Sequence, residues 1–292
     1  MTRLRADALL LFVAVIWGAA FVAQKIGNET LPPLWFVALR FSISAVVLAI
    51  PAYFESRRET APMDRGTRGI AVVIGLSFAV GACLQQKALV TSSATNGGFL
   101  TALYVVLVPF TTWMFARQSV RPVVVLAGLI AIGGTYLLGA HGELKTWSTG
   151  DTLLIISDFA WATGISLISV FLERANRPLL LNFTNLSTTA VVALIAAFVF
   201  EGPLPQGVVA GVLPALLYTA VISGSLAFSL QIIAQRYTPA PEAALIMSLE
   251  SVFAAIAGAL WLGERLTPLA AQGCALILLG VVIAEIRLRR SA

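Results

Sequence analysis

The sequence has few charged residues and almost none of the residues that bind metals or form disulfides. Charged side chains make up 11% of the 292 residues, whereas soluble domains carry roughly 25%. So few charges cannot cover a water-facing surface, which excludes a soluble globular protein. The chain has one histidine and two cysteines, which excludes a disulfide framework and a zinc site built on two histidines. We therefore expect neither a metal nor a cofactor.

Long apolar segments take the place of the missing charges. The chain is 59% hydrophobic, with a mean hydropathy of +0.91. Apolar runs of about 20 residues that end at charges, proline or glycine are typical of membrane-spanning helices. Ten such runs occur, at residues 8–24, 34–54, 69–88, 95–115, 122–140, 151–171, 179–200, 208–233, 241–261 and 267–286. The sequence therefore predicts an all-α membrane protein with ten transmembrane helices.

The basic residues are distributed unequally between the two ends of these runs. Of the 19 lysines and arginines, 14 fall on the side that holds both termini, 4 fall on the other side and Arg40 lies inside a run. Because cytoplasmic loops are enriched in lysine and arginine, both termini are predicted to be cytoplasmic. We expect a multi-pass protein of the cytoplasmic membrane. Its basic character follows from this topology, so no nucleic-acid partner is needed to explain it.

The chain also repeats itself. Residues 6–21, ADALLLFVAVIWGAAF, match residues 150–165, GDTLLIISDFAWATGI, at an offset of 144, which pairs Trp17 with Trp161. Further matches at an offset of 146 pair Gln85 with Gln231, Pro122 with Pro268 and Gly134 with Gly280. Each half holds five predicted helices. Since five is odd, the second copy must enter the membrane from the opposite side, which predicts inverted repeats at residues 1–146 and 147–292.

Two short segments resemble a known family. Ten spans in two halves, WGAAF in the first span and WLGERLTP between the last two spans are similar to the drug/metabolite transporter superfamily, and within it to the EamA-like family. That family includes bacterial amino-acid exporters, among them exporters of aromatic amino acids. The resemblance implies a basket-like arrangement of helices and the export of small metabolites, often amino acids.

Three charged side chains fall within predicted spans, where a charge is costly unless it is paired or hydrated. Arg40 and Asp158 lie six or seven residues from the outer ends of their helices, roughly 9–11 Å deep at about 1.5 Å per residue. Equal depth suggests an ion pair, which would act either as a fixed strut or in gating and substrate contact. Glu250 lies near the middle of the ninth span. It would be either a protonated hydrogen-bonding group between helices or a site for a proton or a substrate amine.

Polar and aromatic side chains at helical spacing predict the walls of a central cavity. Lipid does not tolerate polar stripes, so these residues should face the interior. For the aromatic residues, ordinary core packing is the alternative interpretation. The predicted cavity residues are Trp17, Phe21, Gln85, Thr101, Tyr104, Trp161, Gln231 and Met247.

These features favour a secondary transporter that exports amino acids or related small metabolites by alternating access. Its partners would be the lipid bilayer, a small-molecule substrate and, for an antiporter, a proton; a facilitator needs no coupling ion. Export of drugs, nucleobases or other metabolites by the same fold is the main alternative. An ion channel is disfavoured by the repeat. An intramembrane enzyme is disfavoured because the one histidine, His141, falls in a predicted loop.

Overall fold

The computed structural model describes residues 1–59, 62–139, 148–264 and 267–290, and these ranges contain helices but no strand. His141 and the predicted boundary at residues 146 and 147 lie outside them. The helices are α1 (Arg3–Gly27), α2 (Pro33–Arg58), α3 (Arg65–Ala88), α4 (Ala94–Thr101), α5 (Tyr104–Ala116), α6 (Pro122–Gly139), α7 (Thr149–Arg174), α8 (Pro178–Phe200), α9 (Leu213–Leu217), α10 (Phe228–Ala234), α11 (Ala240–Met247), α12 (Glu250–Trp261) and α13 (Pro268–Arg290). A 3₁₀ turn (Ala210–Val212) precedes α9, and a π-helical segment (Tyr218–Ala227) separates α9 from α10.

Each predicted apolar run coincides with one of these helices or with several consecutive helical segments. In the described part of the chain, eight helical segments are long and apolar enough to cross a membrane, and the eighth predicted run is one of them, as Ala210–Ala234. Two further apolar helices, measured over Pro122–Gly134 and Pro268–Ile283, are shorter. The membrane-protein fold class is therefore supported, while the full set of ten spans stays a prediction.

Side-chain caps fix where several helices begin. Asp64 accepts a hydrogen bond from the Thr67 amide (2.9 Å) at the start of α3. Hydrogen bonds from Thr67 lower the pKa of Asp64, which keeps a negative charge at that helix N-terminus. Ser148 and Asp151 form a reciprocal capping box at the start of α7. Proline occupies the first turn of α2 and α8, where its missing N–H costs nothing.

The fourth and ninth predicted runs are each interrupted, and the interruptions are equivalent. One falls at Ala102 and Leu103, between α4 and α5, and the other falls 146 residues later at Ser248 and Leu249, between α11 and α12. At each point an amide bonds a carbonyl only three residues back: Leu103 to Leu100 (3.1 Å) and Leu249 to Ile246 (3.2 Å). This tightens the backbone into a 3₁₀ turn.

The polarity of the molecule is inverted relative to a water-soluble protein. Large apolar side chains project from the outer faces of the helices, and Val46 and Phe200 are each 74% exposed. Many amides and hydroxyls are buried instead, among them Gln85, Asn182 and Gln231. Lipid suits the exposed apolar surface, whereas the polar groups can be satisfied only inside the bundle.

The helices of the two halves pack in reciprocal pairs. α2 packs against α8 and α6 against α13, while the contact of α3 with α7 is matched by the contact of the π-helical segment and α10 with α1. Glycine permits the close approach of α6 and α13. A Cβ on Gly134 would lie 2.6 Å from the Gly273 carbonyl, and one on Gly280 would lie 2.7 Å from the Ala127 carbonyl. Reciprocal contacts of this kind are what a two-fold relation between the halves requires.

The first helices of the two halves, α1 and α7, start at opposite ends of the bundle. At the end that we call the basic end, the start of α1 meets the start of α11, where Arg3 bonds Glu242 and Thr238 donates to Asp7 (2.7 Å). At the opposite end, Lys25 in the last turn of α1 donates to the Ser92 carbonyl (2.8 Å). Ser92 in turn donates to Asp151 (2.8 Å) in the first turn of α7. α1 and α7 therefore begin at opposite ends.

Candidate functional site: a cavity between the two halves

A small cavity lies at the centre of the bundle, and side chains from both halves line it. Its volume is about 50 Å³, room for a few water molecules and less than a bulky amino acid occupies. Nine of the side chains singled out in the sequence border it: Trp17, Phe21, Arg40, Gln85, Thr101, Tyr104, Trp161, Gln231 and Glu250. A larger ligand would fit only if the surrounding helices moved apart.

Two of the singled-out residues do not border this cavity. Met247 is fully buried in the apolar core. It lies one residue before the break between α11 and α12, whereas the equivalent Thr101 does border the cavity. Asp158 is also fully buried, and neither of its carboxylate oxygens has a hydrogen-bond partner among the described residues. Asp158 lies near enough to Glu250 to interact with it electrostatically.

Phe228 is the centre of an aromatic cluster that the sequence did not reveal. Its ring lies 4.8 Å from Trp17, 5.0 Å from Phe78 and 6.2 Å from Trp161, centroid to centroid. These separations favour attractive ring contacts. Phe78 and Phe228 line the cavity with Phe41. A sequence signal did exist, because Phe228 precedes Gln231 by three residues and Phe78 precedes Gln85 by seven, which places each pair on one helix face.

Trp161 is held by a chain of hydrogen bonds that crosses three helices. Its Nε1 donates to Gln85 Oε1 (3.0 Å), and Gln85 Nε2 donates to Gln24 Oε1 (3.3 Å). Gln24 donates to the Ala20 carbonyl (3.2 Å). A glycine makes room for the indole, since a Cβ on Gly81 would lie 2.9 Å from the Trp161 ring. We call Trp161, Gln85 and Gly81 the Trp161 wall.

The equivalent residues of the other half are bonded differently. Trp17 Nε1 reaches only the Ser223 carbonyl, at 3.5 Å, which is near the limit for a hydrogen bond. Gln231 Nε2 donates to Gln235 (3.1 Å), and Gln231 Oε1 has no partner among the described residues. Ala227 stands where Gly81 stands in the first half. We call Trp17, Gln231 and Ala227 the Trp17 wall.

Arg40 enters the cavity from α2, and no carboxylate of the described residues pairs with it. It is 5% exposed, and its Nε has no hydrogen-bond partner in the described part of the chain. The guanidinium lies 4.5 Å from the centre of the Phe41 ring and 5.9 Å from that of Phe36, which are cation–π distances. The predicted ion pair between Arg40 and Asp158 is wrong for this structure, because the Asp158 oxygens are unpartnered.

Glu250 is the first residue of α12 and borders the cavity at the helix break. It is 3% exposed, and its Oε1 has no partner among the residues described. The positive end of the helix dipole favours a negative charge there. Tyr104, the first residue of α5, occupies the equivalent position in the first half and lies beside Glu250. The two helix breaks therefore deliver one phenol and one carboxyl to the same cavity.

The two ends of the bundle are closed unequally. At the opposite end, Glu264 accepts hydrogen bonds from the amides of Ala94 (3.1 Å) and Thr95 (3.2 Å), and from the Thr95 hydroxyl. This carboxylate joins the second half to the start of α4. At the basic end, Gln118 is the residue equivalent to Glu264, and it donates to Glu173 (2.7 Å). A cleft of about 520 Å³ lies there, bordered by Gln118 and Glu242.

Comparison with known proteins decides the family. The model of the EamA-like transporter family matches residues 4–140 and again residues 148–285. The chain belongs to the EamA-like transporter family. This confirms the resemblance seen in the sequence, and the family is one of transporters.

The chain is also similar in sequence or fold to individual proteins, two of which are described as transporters or efflux pumps. It is 32% identical to an uncharacterized transporter of Archaeoglobus fulgidus over 98% of this chain and 87% of the relative. It is 27% identical to a probable amino-acid metabolite efflux pump of Salmonella typhimurium, over 97% and 96% of the two chains. A crystal structure with 18% identity superposes with a TM-score of 0.75 over 98% of each chain, which shows a shared fold.

Proposed function

We propose that this protein is a secondary transporter that exports amino acids or related small metabolites across the cytoplasmic membrane. Both termini would be cytoplasmic, so that the basic end faces the cytoplasm. One observation carries the proposal: the cavity between the two halves combines aromatic rings, side-chain amides, one buried guanidinium and one buried carboxyl. Such a lining suits a small solute that has charged groups and an apolar part. The efflux-pump name of the Salmonella relative supports export of amino-acid metabolites.

We propose alternating access as the mechanism. The reciprocal helix contacts and the opposite starting ends of α1 and α7 support two inverted five-helix repeats, which are a common basis of alternating access. Both halves contribute to the cavity, so rocking of one half against the other would open it to either side. The Glu264 contact would hold the outer side shut while a substrate enters from the cytoplasm.

Asp158 and Glu250 bear on proton coupling. Two neighbouring carboxyl groups that have no cationic partner among the described residues disfavour being charged together. A bound proton or a substrate ammonium would relieve their repulsion. Either acid therefore qualifies as the coupling group of a proton antiporter, and a facilitator would use them only to bind substrate.

Solute exchange in proteoliposomes tests the proposal. Vesicles with purified protein are loaded with radiolabelled phenylalanine, threonine or methionine, and efflux is followed with and without an imposed pH gradient. Saturable efflux without a gradient indicates a facilitator, and efflux that requires the gradient indicates an antiporter. Absence of efflux for the whole panel would refute amino-acid export and direct the search to drugs and nucleobases. Ionic conductance at channel rates would refute alternating access.

Single substitutions identify the coupling group. Asp158→Asn and Glu250→Gln are compared with Glu29→Gln, which changes an exposed acid outside the cavity. For an antiporter, one of the first two variants should transport at the same rate with and without the gradient, while Glu29→Gln keeps the response of the unmodified protein. If both cavity variants also keep that response, neither acid couples transport to protons.

A further inference from the structure

The central cavity contains a buried guanidinium, Arg40, and a buried carboxyl, Glu250, which form no ion pair with each other in the described part of the chain. Arg40 is buried and pairs with none of the described carboxylates, and the Glu250 carboxyl has a free Oε1. Other charged groups do find partners: Arg3 pairs with Asp7 and Glu242. A buried charge without a partner is costly in a membrane protein and commonly marks a functional site. A ligand with both a carboxylate and an ammonium group could therefore pair with both of these residues.

Arg40 has the chemistry to bind a carboxylate. A guanidinium offers a planar fork of N–H donors that matches the two oxygens of a carboxylate. Phe41 and Phe36 lie against it at cation–π distance, which limits the positions that the side chain adopts. A ligand carboxylate at this point would supply the anionic partner that none of the described residues provides.

Glu250 has the complementary chemistry. Its Oε1 has no hydrogen-bond partner among the described residues and would accept a hydrogen bond from an ammonium group. The cluster of Trp17, Phe78, Trp161 and Phe228 offers an apolar surface in the same cavity. The unpaired Gln231 Oε1 adds a second acceptor.

We infer that Arg40 and Glu250 form a clamp for a zwitterion. Once the surrounding helices have moved apart enough to admit an amino acid, Arg40 binds its α-carboxylate and Glu250 its α-ammonium, while an apolar side chain lies against the Phe228 cluster. The inference rests on the proposed export of amino acids and sharpens it to zwitterions with uncharged, apolar side chains. It implies that compounds lacking either charged group are poor substrates, because each would leave one buried protein charge unpaired.

Competition by three related compounds tests the clamp. L-Phenylalanine carries both charges, phenethylamine lacks the carboxylate and 3-phenylpropionate lacks the ammonium. Each is added in increasing amounts to proteoliposomes that exchange labelled phenylalanine, and its apparent affinity is read from the inhibition. With the unmodified protein, phenylalanine should compete roughly 10-fold better than either analogue, since a charged hydrogen bond contributes at least about that factor.

The variants should change the order of the three compounds in opposite ways. In Arg40→Gln, phenethylamine should compete as well as phenylalanine; in Glu250→Gln, 3-phenylpropionate should do so. Arg58→Gln and Glu29→Gln alter exposed residues of the same charges outside the cavity and should keep the original order. Because ratios between compounds are compared, a general loss of protein stability does not imitate the result.

Thermal stabilisation of the purified variants by the same compounds provides a readout independent of transport. Phenylalanine exchange that phenethylamine or 3-phenylpropionate inhibits equally well would overturn the clamp and leave amino-acid export intact. Unchanged ratios in both cavity variants would do the same. If phenylalanine is neither exchanged nor stabilising, the clamp is overturned, and failure of the whole amino-acid panel would refute the proposed function as well.

Discussion

The Trp161 wall and the Trp17 wall use matching residues of the two halves but bond them differently. Trp161 donates to the Gln85 side chain at 3.0 Å, whereas Trp17 reaches only a main-chain carbonyl at 3.5 Å. α3 is a regular α-helix beneath the Trp161 wall, while the Trp17 wall faces the π-helical segment Tyr218–Ala227. A π-helical turn changes which side chains share a face and is frequent at functional sites. The two halves thus keep the same residue types at equivalent positions, but the winding of the helix determines which hydrogen-bond partners those residues find.

Substitutions of the two tryptophans should show the largest difference between the walls in the free energy of unfolding. Trp161→Phe leaves Gln85 Oε1 without its donor and should lower the free energy of unfolding by about 2–3 kcal/mol. Trp17→Phe removes the same atoms but a much weaker hydrogen bond, so its cost should be smaller by about 1–2 kcal/mol. Thermal unfolding of the detergent-purified variants measures both. Equal losses would show that the Trp161 hydrogen bond adds nothing.

The next largest effect concerns the small residue behind each wall. In Gly81→Ala, the new Cβ would lie 2.9 Å from the Trp161 ring, and such overpacking costs about 1–3 kcal/mol. The reverse change at the equivalent position, Ala227→Gly, should cost about 1 kcal/mol through helix propensity alone. The same unfolding assay compares them. A Gly81→Ala protein as stable as the unmodified one would show that the indole moves aside at no cost.

Substitutions of the two glutamines should affect protein stability and substrate affinity to different degrees. Gln85→Leu leaves the Trp161 donor unpaired, which costs about 1–3 kcal/mol. Gln231→Leu removes one side-chain hydrogen bond, to Gln235, whereas Gln85→Leu removes two, so its cost should be about half as large. If Gln231 contacts the substrate, its variant should nevertheless lose affinity in the exchange assay. A Gln231→Leu protein with unchanged affinity would assign the amide to packing.

The smallest effect should come from Met247. Because it is buried in the apolar core, Met247→Leu is a volume-conserving change that costs less than about 1.5 kcal/mol and should leave substrate affinity unaltered. Thr101→Val at the equivalent position removes a hydroxyl that has no partner within the described residues. The Thr101 variant is expected to change affinity more. A larger loss of substrate affinity in Met247→Leu than in Thr101→Val would indicate that Met247 contacts the substrate.

The sequence determined the kind of protein and the approximate place of the long apolar helical segments in the described part of the chain. Apolar runs separated by charges are read directly as helices because a bilayer admits little else. The repeat and the helical spacing also predicted that Trp17, Trp161, Gln85, Gln231 and their neighbours meet in one place. These predictions were possible because they depend on local periodicity and on the solvent, both of which can be read along the chain.

Only the tertiary structure decided which of these residues face the cavity and which find partners. Met247 and Thr101 occupy equivalent positions of the two halves, but Met247 lies in the apolar core and Thr101 borders the cavity. Arg40 and Asp158 were expected to pair and do not. The helix breaks contain no proline at residues 102, 103, 248 or 249, and the π-helical segment has no comparable sequence signal. Such features arise from packing between helices distant in sequence, which no local pattern records.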